Sequence, residues 1–220
     1  MSYKPIFTFL PAWLSINSLV GSWITLIILI LTYHNPAADL RFPDQLLYGG
    51  FSKEFATQLV GGFSLLFVLG MGVWTFILPR LRRTTVMFIG LSGLATCIGA
   101  LTIINGMAEN PESLTGTPGI VVLALMPWIA LGVLLLSGFT PAALTQLAAL
   151  SEILPGKRGS VMGLYSVVLG VGQLLGAFIG GSFVDIGGFY GLMIFSALSG
   201  LLSLISVFYM RMQGHDLLRS

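Results

Sequence analysis

The sequence predicts an all-α polytopic membrane protein, because six long stretches are apolar throughout and the charged residues lie between them. None of these stretches carries Asp, Glu, Lys, Arg or His in its interior, where a charge would be costly. Each reaches the roughly 20 helical residues that cross a hydrocarbon core of about 30 Å. Only 8% of the residues are charged and 55% are hydrophobic, which excludes a water-soluble protein of 220 residues. The predicted transmembrane spans are approximately 6–32, 55–79, 84–106, 118–149, 160–184 and 189–210.

Helices are the element that suits these stretches. Open strands are excluded because their backbone groups would lack hydrogen bonds in lipid, and the stretches do not alternate as the wall of a barrel does. The first span is too long for a cleaved signal peptide, so we expect it to remain as a helix. Apart from a longer segment at roughly 33–54 the loops are short, and residues 1–220 are predicted to form one six-helix domain.

The positive charges predict the orientation in the membrane. Of the 10 lysines and arginines, all except Arg41 and Lys53 fall on the side that holds both termini. Lysine and arginine accumulate in cytoplasmic loops. We therefore expect a multi-pass protein of the cell membrane (plasma or inner membrane) with both termini in the cytoplasm.

Two spans carry landmarks. In the fourth span we expect a bend near Thr140-Pro141, because proline removes a backbone donor. The fifth span carries Gly172, Gly176 and Gly180, which their spacing of four places on one helix face as a groove for a neighbouring helix. This groove is interpreted either as static close packing or as a surface on which helices slide.

A weak internal repeat links the second and fifth spans. The segment 63–72 (FSLLFVLGMG) resembles 165–172 (YSVVLGVG) after a short gap. These are the middle helices of two three-helix halves that cross the membrane in opposite directions. Inverted repeats of three helices are typical of transporters, and the chain is predicted to contain two of them.

A cluster of charges is predicted on the cytoplasmic side. Glu152 lies near the C-terminal end of the fourth helix, where the helix dipole disfavours a negative charge, so we expect a cation nearby. The cluster is interpreted either as a solvated acid in a basic rim or as an ion-pair latch that closes the cytoplasmic side. Its members are Arg80, Arg82, Arg83, Glu152, Lys157 and Arg158.

Three motifs carry a family resemblance. The segment 9–17 (FLPAWLSIN), the passage 141–165 with its central PGKRGS, and the glycine-rich segment 172–189 occur in this order. They resemble, respectively, the start of helix seven, the passage from helix ten to eleven, and helix eleven with its outer turn in the major facilitator superfamily. The chain as a whole is similar to the C-terminal half of that family, helices seven to twelve.

The chain also departs from the family pattern. The loop 79–83 (PRLRR) keeps the basic residues of a family signature and lacks its acid and glycine, and Ala177 stands where family antiporters often have proline. The family has twelve helices, so the resemblance implies a second six-helix half as a partner. That half would be a separate chain, an N-terminal half missing from this sequence, or a second copy in a homodimer.

The resemblance implies a secondary transporter that moves a small solute by alternating access. In the family pattern the first, second, fourth and fifth spans line a cavity, and the third and sixth face lipid. Gln173 is the leading cavity residue because an unpaired amide at the centre of a span is costly; the alternative is that it bonds a neighbouring helix backbone. The cavity candidates are polar or aromatic residues near mid-bilayer: Asn17, Trp23, Trp74, Trp128 and Gln173.

The absence of ionisable residues inside the spans restricts the chemistry. Proton coupling requires such a group, so it would lie in the partner half, or else the protein is a facilitator or carries a weakly charged solute. No enzymatic activity, cofactor, metal or nucleic acid is expected, because Cys97 stands alone and no nucleophile has a nearby base. The alternative function is a non-transporting membrane accessory or scaffold protein derived from a transporter half.

Overall fold

The computed structural model describes residues 4–33, 42, 44–49, 51–107, 117–152 and 158–214. All regular structure in these ranges is helical, and the all-α prediction is confirmed. The helices are α1 (Lys4–Leu31), α2 (Lys53–Ile77), α3 (Arg83–Asn105), α4 (Thr117–Leu136), α5 (Phe139–Glu152) and α6 (Arg158–Met212), with a 3-10 turn at Leu78–Arg80 between α2 and α3.

Within the described ranges, five helical segments are long and apolar enough to cross a membrane. About half of the residues are buried in the segments of α1, α3 and α6, whereas few are buried in those of α2 and α4. A polytopic membrane protein is therefore confirmed. The five segments are Ile6–Leu31, Lys53–Arg80, Arg83–Asn105, Ile120–Ser151 and Gly163–Met212.

Helix α6 folds back on itself at Gly188. This residue has φ 60° and ψ −137°, a conformation that glycine adopts without the strain of a side chain. The rings of Phe183 and Phe195, on either side of it, contact each other at a centroid distance of 5.8 Å. A straight helix would separate these positions by about 18 Å. We call the two parts α6a (158–187) and α6b (189–212); each is long enough to cross, so six crossings remain the prediction.

The fourth crossing is divided between α4 and α5 by a break at Ser137–Gly138. Pro141 explains its position, because proline has no N–H to donate to the carbonyl of Ser137 and its ring clashes with that carbonyl. The break thus lies one turn before the bend predicted at Thr140–Pro141.

The first helix of each predicted three-helix half packs mainly against the other half, an arrangement that we call the exchange of first helices. Helix α1 packs mainly against α6, and α4 packs mainly against α3 and α2. At the first contact, the Ser203 hydroxyl of α6b donates to the carbonyl of Ala12. At the second, Gly93 of α3 lies directly against the backbone of Gly132. This crossed packing supports the predicted pair of inverted repeats.

The repeat also holds at the level of single contacts. Gly70 of α2 lies against Ser137 at the α4–α5 break, and Gly172 of α6a lies against Asn17 of α1. Gly70 and Gly172 are separated in sequence by the same interval as Phe63 and Tyr165. Aligned by these contacts, the two middle helices, α2 and α6a, match residue for residue without the short gap that the sequence comparison introduced.

The loop between α1 and α2 caps one end of the bundle, which we call the turn end because it carries Gly188. Gln45 of this loop is 8% exposed. Its side-chain oxygen accepts from the N–H of Phe189 (2.8 Å), and its side-chain nitrogen donates to the carbonyl of Gly187 (3.1 Å). Gln45 thereby satisfies backbone groups on both sides of the α6 turn, where the helices cannot.

The same loop is joined to the end of α3. The backbone carbonyl of Asn105 accepts from the N–H of Leu46 (3.0 Å), and its side-chain oxygen accepts from the N–H of Leu47 (2.9 Å). The α1–α2 loop is therefore hydrogen-bonded both to α3, in the first three-helix half, and to the α6 turn, in the second.

Candidate functional site

Helices α2 and α6a each leave one stripe of residues open on the surface. A spacing of three or four residues places each set on one helix face. These open stripes are Gly61, Leu65, Val68, Gly72 and Phe76 on α2, and Gly163, Val167, Gly170, Leu174 and Phe178 on α6a, all exposed.

The glycines of the open stripes have room beside them. Apart from the adjoining residues and backbone of the same helix, no atom of the described chain lies within 4 Å of a Cβ added at Gly61, Gly72, Gly163 or Gly170. A glycine in a helix costs about 1 kcal/mol relative to alanine, and contact with lipid tails gives no compensation for this. Exposed glycines in a membrane helix instead suit the close approach of another helix.

Two of the predicted cavity residues lie at the contact between α1 and α6a. Asn17 is 6% exposed and donates from its side-chain nitrogen to the carbonyl of Trp13 in its own helix (2.7 Å). Gln173 is half-buried, and its backbone lies against Gly21. The Gln173 amide makes no hydrogen bond to any described residue. Gln173 thus retains the capacity to bind a solute, whereas Asn17 is covered by helix packing.

Three predicted packing glycines form this same contact. Gly172 lies against Asn17, Gly176 against the backbone of Ser18, and Gly180 against the side chain of Ser22. A Cβ on any of them would approach within 3 Å of an α1 atom, which is too close for packing. The two helices therefore approach at backbone distance along this face.

Trp23 lies in the interior between α1 and α6b. Its indole N–H donates to the hydroxyl of Ser196 (2.9 Å), and its ring meets that of Phe189 edge-on at 6.5 Å. Both polar and apolar parts of the side chain are thus used within the bundle.

Trp74 lies at the α4–α5 break and is 9% exposed. Its indole N–H donates to the backbone carbonyl of Leu134 (2.8 Å). The ring covers Gly138, where an added Cβ would come 2.7 Å from two ring carbons. Trp74 therefore packs over the irregular backbone in the middle of the fourth crossing and hydrogen-bonds to it.

Trp128 is the exposed member of the five predicted cavity residues, with 56% of its surface accessible. It lies on α4 one turn before Leu131, which is also exposed. The five residues do not form one cluster, because they are distributed over the α1–α6a, α1–α6b and α2–α4 contacts and the outer face of α4. On this geometry Trp128 and Gln173 retain groups that a solute could reach.

The predicted charge cluster lies at the end of the bundle opposite the turn end. We call this the basic end, after Arg80, Arg82 and Arg83. The guanidinium of Arg83 donates to the side-chain oxygen of Gln146 (3.3 Å), and Gln146 is fully buried. Lys157 and the side chains of Glu152 and Arg158 lie outside the described residues, so an ion-pair latch stays a prediction.

Arg211 joins the last helix to the basic end. Its guanidinium donates to the Thr85 hydroxyl (3.5 Å) and lies 5.7 Å from the centre of the Phe88 ring. Such a cation–π contact adds to the hydrogen bond and ties α6b to the start of α3.

Sequence reasoning missed Gln146 and Gln45. The criterion that selected Gln173, an amide within an apolar span, applies equally to Gln146 and would have found it. Gln45 lies in a loop without periodicity, and nothing in its sequence neighbourhood indicates that it reaches the α6 turn.

Among the described residues, no group of three His, Cys, Asp or Glu side chains is close enough to hold a metal ion.

No curated protein and no solved structure matches the chain. A family model described as Major Facilitator Superfamily matches residues 5–217, nearly the whole length. The chain therefore belongs to the major facilitator superfamily, a family of membrane transporters.

Proposed function

We propose that the chain is one half of a secondary transporter that moves a small solute by alternating access. A second six-helix half would complete the cavity, with α1, α2, α4–α5 and α6a as the walls on this side. Membership of a transporter family supports this function, and the open stripes on α2 and α6a are the observation that carries the half-transporter assignment.

The open stripes support a partner because their glycines and apolar residues have the character of a helix-packing surface. Helices in lipid associate through close packing of small residues, and here such residues are exposed on two separate helices of the same bundle. A second half with the same orientation would cover them, whether it is another chain, an N-terminal extension or a second copy.

The chemistry of the walls favours an uncharged or weakly charged solute. The spans contain no Asp, Glu, Lys, Arg or His in their interiors, so this half supplies no ionic contact and no proton carrier. The accessible groups are the Trp128 ring and the Gln173 amide, which suit a solute with both hydroxyl groups and an apolar face. A proton-coupling group would have to come from the second half.

Both termini are proposed to lie in the cytoplasm of a cell whose plasma or inner membrane holds the protein. The basic end carries Arg80, Arg82, Arg83 and Arg211, and positive residues favour the cytoplasmic side. Two copies in this orientation can be related by an axis along the membrane normal, as are the halves of larger transporters in this family.

Solute flux tests the proposed function. Assemblies of the protein with its second half, purified into proteoliposomes, are expected to take up at least one member of a panel of labelled neutral and weakly charged solutes. Gln173→Ala should lower the initial rate about tenfold, because one hydrogen bond to the solute is lost. Leu201→Ala on the outer side of α6b serves as the matched control and should leave the rate unchanged. Absence of flux across the whole panel, from assemblies that contain both halves, would favour the scaffold function.

Crosslinking tests whether a second copy is the partner. In a chain with Cys97 replaced by alanine, cysteines at Leu65 and Leu174 in the open stripes are expected to give dimers on oxidation in native membranes. A cysteine at Ile205, which is exposed on α6b, should give none. Monomers from the stripe cysteines would exclude the homodimer and leave a different chain or an N-terminal extension as the second half.

A further inference from the structure

We propose that Trp74 and Gly138 form a lockable joint in the fourth crossing: the indole bond to Leu134 holds α4 and α5 at one angle, and its release lets α5 move relative to α4. The inference rests on the proposed transport function, because alternating access requires an element with two arrangements. Trp74 would act as a positioning residue, through the backbone and without touching solute.

The helix break leaves a carbonyl that needs a partner. In a continuous helix the N–H of Gly138 would donate to Leu134, but here it donates to Leu135 (3.2 Å). The freed carbonyl of Leu134 accepts instead from the Trp74 indole (2.8 Å) and the Ser137 hydroxyl (2.7 Å). Lipid offers this carbonyl no replacement hydrogen bond, so the Trp74 bond, together with that of Ser137, stabilises this particular bend.

Small residues make the joint possible. Gly138 provides space for the indole, whose ring carbons lie 2.7 Å from the position of an added Cβ. Gly70, one turn before Trp74 on α2, provides space for the Ser137 hydroxyl. A side chain at Gly138 would displace the indole, and one at Gly70 would displace the Ser137 hydroxyl.

The break is not required by the packing of the fold. The other half of the repeat makes the corresponding contact with Gly172 against Asn17, and there α1 continues as one helix from Lys4 to Leu31. Gly176, the repeat counterpart of Trp74, lets α6a touch α1 directly. A tryptophan wedge and a broken helix therefore occur at one of two equivalent crossings, so the close helix packing that both crossings share does not account for them.

The joint separates α5, which reaches the basic end of the bundle, from α4, which extends in the other direction. Helix α5 carries Gln146, which accepts from Arg83 at the basic end. Helix α4 continues on the other side of the break and carries the exposed Trp128. A change of angle at the joint would therefore move the basic end relative to the wall that contains Trp128.

Amide hydrogen exchange in detergent or nanodiscs tests the joint without any solute. Trp74→Phe keeps the ring and removes the indole N–H, and it should raise exchange about tenfold at residues 135–142, because one stabilising bond to the break is lost. Gly138→Ala should have the same effect by displacing the ring. The matched control is Trp23→Phe, which removes an equivalent indole bond to Ser196 and should leave exchange at 135–142 unchanged.

A distance measurement separates a joint from a merely structural contact. With Cys97 replaced by alanine, spin labels at Leu123 on α4 and Leu144 on α5, both exposed, should report one distance in the parent protein. A second distance population should appear with Trp74→Phe. Unchanged exchange at residues 135–142, or a single label distance in the Trp74→Phe variant, would overturn the proposal. Because neither readout involves solute, absence of flux would count against the proposed function and leave this result standing.

Discussion

Replacement of Gly176 by alanine is expected to lower the unfolding free energy by about 3 kcal/mol, as overpacking of a tight interface does. An added Cβ would overlap the carbonyl group of Ser18, with the carbonyl carbon at 2.6 Å and Cα at 2.7 Å. These are backbone atoms of α1 and cannot rotate away, so the two helices must separate along the whole glycine face. Unfolding by denaturant in detergent micelles, followed by the loss of helical circular dichroism, measures the effect.

Gly170→Ala is the matched control for this experiment. Gly170 lies on the same helix, and no atom of the described chain comes within 4 Å of its Cβ position. Alanine is the better helix former by about 1 kcal/mol, so this variant should be as stable as the parent or slightly more stable. Equal destabilisation by both variants would mean that the α1–α6a contact is not as close as the geometry indicates.

Removal of the Gln45 side chain is expected to lower the unfolding free energy by about 2 kcal/mol. Gln45→Ala leaves the Phe189 N–H and the Gly187 carbonyl without their side-chain partner, and buried groups left unpaired cost about 1–3 kcal/mol. The measurement is the same denaturant titration, supplemented by amide exchange. Exchange should increase first at Phe189 and Tyr190, whose N–H groups lie 2.8 and 3.4 Å from the Gln45 oxygen.

Gln213→Ala provides the comparison for Gln45, because Gln213 is an exposed glutamine near the end of α6. It should change neither stability nor exchange at the α6 turn. A Gln45 variant as stable as the Gln213 variant would show that water replaces the amide at the turn end without cost.

The helices were predictable because the membrane imposes a simple rule on composition. Charged residues cannot remain in the hydrocarbon, so the positions of Lys53 and Arg83 limit where α2 and α3 can begin. Pro141 likewise placed the irregularity of the fourth crossing to within one turn. The exchange of first helices between the halves was not predictable, since it depends on contacts between residues far apart in sequence.

Whether each candidate residue faces lipid or the protein interior was also not predictable. In a soluble helix the polar face identifies solvent, but lipid and protein interior are both apolar, so α2 gives no such signal for Trp74. The same limitation applies to Trp23, which bonds Ser196 inside the bundle. Glycine spacing was the exception, because Gly172 and Gly176 require a close neighbour and therefore mark a face.

The exchange of first helices has a consequence for biogenesis. Helix α1 is synthesised before the other helices described here, but its main packing partner is α6, which follows all of them in the sequence. The Asn17 and Ser22 side chains bond within their own helix, but until α6a is made the α1 face that packs against its glycines is uncovered. A nascent chain arrested before residue 158 should therefore hold α1 in the bilayer without its final neighbours, where it is a substrate for membrane chaperones and proteases until α6 has been made.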